Sequence, residues 1–204
     1  MKKDFNYFST YFLFSISNIH LLSVNKGIEI AFTGYSNSGK SSAINILTNN
    51  KNLAKTSKTP GSTQVINFFE VKPDFRLVDL PGYGYAKVPK KIKYQLQNTI
   101  SEYLQEREIL KGLVIVMDIR HPMKNIDQKI IKLATTYLNL PILILLTKSD
   151  KITYQERYSQ LNKVRKQITT LFKGDIQIEI FSSIKKYGVE KLRKQLNIWF
   201  SVNN

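Results

Sequence analysis

Residues 34–42 read Gly-Tyr-Ser-Asn-Ser-Gly-Lys-Ser-Ser, a complete G-x-x-x-x-G-K-S string. Its chemistry is the binding of a phosphate chain. Gly34 and Gly39 allow the backbone to curl, so that the N–H groups across Tyr35, Ser36, Asn37 and Ser38 point inward at phosphate oxygens. Lys40 reaches the β- and γ-phosphates as a point charge, and the Ser41 hydroxyl ligates Mg2+. Ser42 closes the string in the first turn of a helix whose positive dipole end faces the same phosphates. A Gly/Ser-rich turn that merely caps a helix is the bland alternative. The context argues against it, because Ile28 to Phe32 reads as a buried strand and Ser41 to Thr48 as a helix. The implied ligand is a nucleoside triphosphate.

Three further strings extend this chemistry. Asp79-Leu80-Pro81-Gly82 sets a strand-end carboxylate where it holds Mg2+ through water, and the Gly82 N–H where it reaches a γ-phosphate. Turns use the same residues, so the string draws its weight from lying one hairpin after the phosphate loop. In Thr147-Lys148-Ser149-Asp150, Asp150 accepts two hydrogen bonds from the N1–H and N2–H2 edge of guanine. Adenine offers no such donor pair and would leave the carboxylate desolvated and unpaired. The Lys148 stem lies along the base plane, while a plain helix N-cap at Ser149 or Asp150 is the competing reading. Ser182 and Ser183, after Phe181, offer backbone N–H groups to the guanine O6. In Thr59-Pro60-Gly61-Ser62-Thr63, a threonine hydroxyl can close on Mg2+ and its N–H on the γ-phosphate. Thr59 and Thr63 both qualify, and spacing alone does not choose between them.

The elements that must position these groups alternate along the chain. Gln64 to Val71 and Phe75 to Leu80 read as strands joined by Lys72-Pro73-Asp74, close enough to form a hairpin and make one strand antiparallel. Leu113 to Met117, Pro141 to Leu146 and Ile176 to Phe181 read as buried strands. Helical stripes run through Ile92 to Leu104, Ile126 to Leu138, Tyr158 to Leu171 and Val189 to Trp199. The expected fold is α/β in three layers: a mostly parallel six-stranded sheet with one antiparallel strand and helices on both faces. In such a sheet ligands bind at the carboxyl ends of the strands, where every string above falls.

With 204 residues the chain fits one domain with modest extensions. Residues 1–25 are expected to form an aromatic extension packing on a nucleotide-binding domain of residues 26–204. Polar residues interrupt the apolar positions between Phe5 and Leu22, which argues for a strand or arm rather than a signal peptide or membrane span. The chain has no cysteine, which excludes disulfides and thiolate metal sites and agrees with a reducing cytoplasm. The formal net charge of +16 points to a polyanionic partner, against the alternative of a lysine-rich coding bias. Basic residues concentrate at Lys87/Lys90/Lys91/Lys93, Lys163/Arg165/Lys166/Lys173 and Lys185/Lys186/Lys191/Arg193/Lys194.

Taken together, the strings resemble the EngB family of GTPases within the TrmE–Era group, over essentially the whole chain. The more specific matches are Thr56-Ser57-Lys58-Thr59-Pro60-Gly61, Asp79 to Ala86, Met117-Asp118-Ile119-Arg120-His121-Pro122 and Phe181-Ser182-Ser183. The resemblance implies a P-loop GTPase three-layer fold with residues 26–204 as the GTPase domain, Mg2+-dependent GTP binding and hydrolysis, a role in large ribosomal subunit assembly, and an association with normal cell division and septation. It implies GTP and GDP, the large-subunit precursor and its rRNA as partners, with a cytoplasmic, monomeric chain that is not integral to a membrane. It selects Thr63 as the switch threonine on Mg2+, and so Lys40, Thr63 and Gly82 as the catalytic set. Gly61, Ser62, Leu80, Pro81 and Phe181 join the GTP-binding residues, although Ser62 stands where a basic residue is expected in many members. Asn37 matches the position at which TrmE-type GTPases carry an Asn that helps coordinate K+; a turn residue tolerant of positive φ is the other reading. Many GTPases place a Gln directly after D-x-x-G to orient the attacking water, and here that position is Tyr83. Slow intrinsic turnover raised by a macromolecular partner is therefore expected. The competing functions are a P-loop ATPase or nucleotide kinase, and an RNA- or membrane-binding module that uses nucleotide only structurally.

Overall fold

Short apolar runs bounded by turn residues form seven strands among the described residues: β1 (Tyr11–Ile16), β2 (Ile28–Gly34), β3 (Ile66–Lys72), β4 (Phe75–Asp79), β5 (Leu110–Asp118), β6 (Ile142–Thr147) and β7 (Ile176–Ile180). The α-helices are α1 (Lys40–Thr48), α2 (Lys90–Glu106), α3 (Asn125–Lys132), α4 (Tyr154–Leu171) and α5 (Val189–Phe200). The computed structural model describes residues 5–22, 25–55, 65–84 and 88–202. The strands make one sheet in the order β1-β3-β4-β2-β5-β6-β7. Strand β2 is parallel to β4 and β5, and β5, β6 and β7 continue parallel. Strand β3 is antiparallel to both β1 and β4, so it alone runs against the others. The sheet thus has seven strands where six are expected from the sequence. The seventh comes from the N-terminal segment, whose edge position leaves one face exposed and weakens its apolar alternation. A bulge between Phe12 and Phe14 interrupts that alternation further.

The interior strands β2 and β6 are buried throughout, as parallel strands covered on both faces must be. One core layer packs Ile100, Ile131 and Val164 of α2, α3 and α4 against the sheet. The opposite layer packs Ile44 and Leu47 of α1 with Leu196 and Trp199 of α5. Phe5 joins this second layer, its ring 4.9 Å from Phe200 and 5.1 Å from Phe75. The Tyr7 hydroxyl donates to Asn197 Oδ1 at 2.7 Å, so α5 clamps the chain leading into β1. Far from the phosphate loop, buried Glu29 accepts from Arg107 Nη2 at 2.6 Å and Tyr103 at 2.7 Å, tying the end of α2 to β2. Among the described residues no helix is long and apolar enough to cross a membrane.

This topology sends the carboxyl ends of β2, β4, β5, β6 and β7 to one edge. Gly34, Asp79, Asp118, Thr147 and the Phe181-Ser182 pair meet there.

Candidate functional site

Gly34 ends β2, and the loop to α1 folds back on itself through Ser38 N–H to the Tyr35 carbonyl at 3.0 Å. Asn37 sits at φ +61 and Gly39 at φ +100, two left-handed turns that let successive amides face the same side. Gly39 is the N-cap of α1, and no side chain caps that helix. The first-turn N–H groups around Lys40, Ser41 and Ser42 are therefore left for an anion. Lys40 Nζ pairs with the Asp79 carboxylate, and both side chains are largely buried. The lysine of the loop and the acid of the D-x-x-G string thus converge on one point at the mouth of α1.

The segment after Asp79 is sewn to the loop. Leu80 N–H donates to the Phe32 carbonyl at 3.0 Å, Ser36 N–H to the Tyr83 carbonyl at 2.7 Å, and Tyr83 N–H to the Gly34 carbonyl at 3.2 Å. Pro81 and Gly82 are buried between them. The Tyr83 ring is 1% exposed and packs edge-on against Tyr35 at 4.9 Å. Its hydroxyl donates to Asp127 Oδ1 at 2.6 Å, while the Lys124 N–H donates to Asp127 Oδ2 at 2.9 Å. Burial, then the Asp127 carboxylate, pushes the Tyr83 phenol well above its ordinary value, so it remains a neutral donor. Burial also raises the Asp127 carboxyl to about 6, against the opposing hydrogen bonds from Tyr83 and Lys124. Tyr83 is therefore a structural pin to α3, and its hydroxyl is committed away from any attacking water. Asp127 is missed by motif reading, because its only sequence signal is an acid three residues into an amphipathic helix.

At the other end of the site, Thr147 Oγ1 donates to the Ser38 carbonyl and lies 3.0 Å from the Met117 carbonyl. Lys148, at φ +56, sends Nζ to the Asn37 carbonyl at 2.6 Å and to Asp118 Oδ2 at 3.0 Å. Asp118 also accepts from Arg120 Nη2 at 2.7 Å. Burial pushes the Asp118 carboxyl up, but Arg120 and Lys148 outweigh it and hold it well below the usual carboxylate range. Asp118 fixes the head of Lys148 and so stretches its stem across the pocket. The role of Asp118 is not evident from its motif; its sequence signal is a strand-end Asp two residues before Arg120.

Ser149 to Lys151 form a single helical turn rather than the start of α4, which begins five residues later with its own Thr153–Glu156 cap. A plain N-cap role for Ser149 or Asp150 is thereby excluded. Ser182 Oγ donates to Asp150 Oδ1 at 2.5 Å and, as the largest cause, lowers the Asp150 carboxyl below its ordinary value. Ser149 N–H donates to the Phe181 carbonyl at 3.2 Å, closing the two loops on each other. Ser183 is partly buried beside them. The geometry therefore gathers Gly34 to Ser42, Asp79 to Gly82, Thr147 to Asp150 and Phe181 to Ser183 along one edge. Thr59, Gly61, Ser62 and Thr63 lie outside the described residues, as do Tyr85, Ala86 and Lys87.

Among the described residues no three acidic or histidine side chains cluster as a metal cage. The Ser41 hydroxyl and the Asp79 carboxylate are oxygen donors of the kind a Mg2+ site uses together with water and phosphate.

Comparison with known proteins agrees with this arrangement. A family model described as 50S ribosome-binding GTPase matches residues 29–148. The probable GTP-binding protein EngB of Sodalis glossinidius is 56% identical over 201 residues, covering 98% of this chain and 94% of its own. The protein of the same name from Haemophilus influenzae strain PittEE is 56% identical over 196 residues, covering 96% and 95%. A crystal structure of a probable GTP-binding protein EngB superposes with a TM-score of 0.65 at 24% identity, covering 84% of this chain and 98% of that one, and supports the fold.

Proposed function

The chain belongs to the EngB family of GTP-binding proteins, and from that premise we propose that it is a Mg2+-dependent GTPase acting as a switch in large ribosomal subunit assembly, needed for normal cell division and septation. The observation that carries the reading is the convergence of Lys40 and Asp79 at the uncapped mouth of α1, with Asp150 and Ser182 paired at the far end of the same edge. That spacing separates a phosphate-holding end from a base-reading end. The family model's description supports the ribosomal partner, and the net charge of +16 suits an RNA-rich surface.

In this reading the loop amides of Tyr35 to Ser42 and Lys40 hold the phosphates, and Gly82 N–H meets the γ-phosphate. Asp150 reads the guanine N1–H and N2–H2 edge, with Ser182 and Ser183 at O6, and Lys148 underlies the base. Ser41, Thr63 and water-bridged Asp79 would hold Mg2+, which supplies neutralisation of developing phosphate charge. Thr63 holds this role by family resemblance. Because Tyr83 is pinned to Asp127, this chain offers no side chain at that position to orient water, and slow intrinsic turnover follows. Completion of the site falls to the ribosomal partner or to K+ beside Asn37. A K+ role predicts faster hydrolysis in KCl than in matched NaCl; equal rates would remove it.

The direct test is multiple-turnover phosphate release with GTP, together with co-sedimentation on large-subunit particles under GTP, GDP and a non-hydrolysable analogue. Lys40→Ala is expected to abolish turnover while the fold persists. Turnover untouched by that substitution, or particle binding indifferent to the nucleotide, would overturn the switch.

A further inference from the structure

Behind the guanine end of the site, on the outer side of its two loops, lies a groove of about 470 Å3 between α4 and the connection from β7 to α5. One wall is a single face of α4, on which Tyr154 and Tyr158 are one turn apart with ring centroids 4.7 Å from each other. The other wall is Tyr187. These rings are 68%, 47% and 48% exposed, in that order. A single exposed aromatic is ordinary on a protein surface. Three around one groove, interleaved with guanidinium groups, form the pattern that stacks unpaired bases.

The charge of the groove points the same way. Arg157, Arg165 and Lys191 line it against one acid, Glu179, which Lys191 neutralises at 2.7 Å. Arg157 lies between the tyrosines with its guanidinium carbon 5.5 Å from the Tyr187 centroid, and Arg165 is exposed one turn beyond the groove floor at Leu161. Of the two basic groups at residues 163–173 and 185–194, Arg165 and Lys191 line this groove, whereas Arg193 and Lys194 line a separate one beside Phe5 and Tyr7. Tyrosine rings offer π-faces to any base, and the arginines serve both stacking and phosphates.

The groove is also tied to nucleotide recognition. Arg157 Nε donates to the Ser149 carbonyl at 2.7 Å. The Tyr187 carbonyl accepts from Ser182 N–H at 3.1 Å, and Ser182 Oγ holds Asp150. Gly188, at φ +76, keeps this return tight, since a Cβ there would lie 2.4 Å from the Ile180 carbonyl. Asp150, Ser182, Tyr187, Arg157 and Ser149 therefore close a ring.

We infer that the Tyr154–Tyr158–Tyr187 groove is a stacking platform for unpaired RNA bases, mechanically joined to the guanine-reading loops. The inference rests on the ribosomal reading above and names the surface and the chemistry of that contact. A fluorescent single-stranded RNA of about 12 nucleotides, titrated into the full chain and followed by anisotropy, tests it. Tyr158→Ala/Tyr187→Ala is expected to weaken binding about tenfold or more, with Tyr158→Phe/Tyr187→Phe close to wild type, because the ring and not the hydroxyl stacks. Tyr154→Ala/Tyr158→Ala, confined to the solvent face of α4, should show the same loss even if Tyr187→Ala disturbs its loop. Equal binding by wild type and both alanine pairs, or no binding by wild type, overturns the platform. Co-sedimentation on large-subunit particles separates the two ideas. Wild type that binds RNA but not particles supports the platform and removes the ribosomal partner. Particle binding lost in the alanine pairs without any oligonucleotide binding marks a protein contact and overturns the RNA assignment.

Discussion

In the proposed reading Asp150 recognises the base, and for that its surroundings must hold it ionised and aimed. The Ser182 hydroxyl at 2.5 Å does both, and lowers its affinity for a proton. Asp150→Asn keeps the shape and removes the acceptor pair, so GTP affinity should fall about a hundredfold or more while xanthosine triphosphate gains, measured by competition binding. An unchanged GTP/ATP preference would return the chain to the ATPase reading. Tyr83 is the opposite case: its place in the string D-x-x-G-Y is plain in the sequence, yet its partner Asp127 lies 44 residues away and the pairing exists only in the fold. Asp127 is 2% exposed, and its carboxyl is raised from near 4 to about 6. The folded state therefore holds this proton more tightly than the unfolded chain. Its contribution to stability is full below about pH 4 and is lost as pH rises through about 6, a span on the order of 2–3 kcal/mol. Urea unfolding from about pH 4 to 6 should show wild-type stability falling as this proton is lost, while Asp127→Asn, which cannot titrate there, lacks that slope. Parallel slopes would assign the pH dependence elsewhere.

At the level of elements, close approach decides more than propensity. Gly112 in β5 faces the Trp199 indole of α5, and a Cβ there would lie 2.2 Å from the ring. Gly112→Ala should therefore cost about 1–3 kcal/mol by forcing α5 off the sheet. The chain has one tryptophan, so its fluorescence reports the same event as the lowered urea midpoint. Helix α4 begins with a reciprocal Thr153–Glu156 cap that the S/T-x-x-E spacing makes legible. Helix α1 begins on Gly39 with no side-chain cap, as α5 does on Gly188; what sets α1 apart is the pair of left-handed turns at Asn37 and Gly39 and the Lys40–Asp79 pair at its mouth. The N-terminal strand β1 is less legible. At a sheet edge, with Phe12 51% exposed and a bulge at its centre, it lacks the regular alternation that marks a half-buried strand.

For the molecule as a whole, the excess of 31 basic over 15 acidic side chains sets a surface property rather than a fold. Association with large-subunit particles should weaken steeply with salt, roughly tenfold on doubling the KCl concentration for a footprint of about five phosphates, as sedimentation would show. A flat salt dependence would place the contact on ribosomal protein. The family, the alternation of strands and helices, the phosphate-loop string and the proposed base-reading string at Thr147 to Asp150 are all legible along the chain. Each of these is written in local spacing, because a phosphate loop, a strand-end turn or a helix stripe is made by neighbours along the chain. That Lys40 faces Asp79, that Asp118 anchors Lys148, that Tyr83 is pinned to Asp127, and that three tyrosines share one groove behind the Asp150 loop is settled by the fold alone. Tyr83 and Asp127 are 44 positions apart, and the further contact of Lys148 with the Asn37 carbonyl spans 111, so no local pattern encodes them. They arise because a parallel sheet brings the ends of distant strands to a single edge.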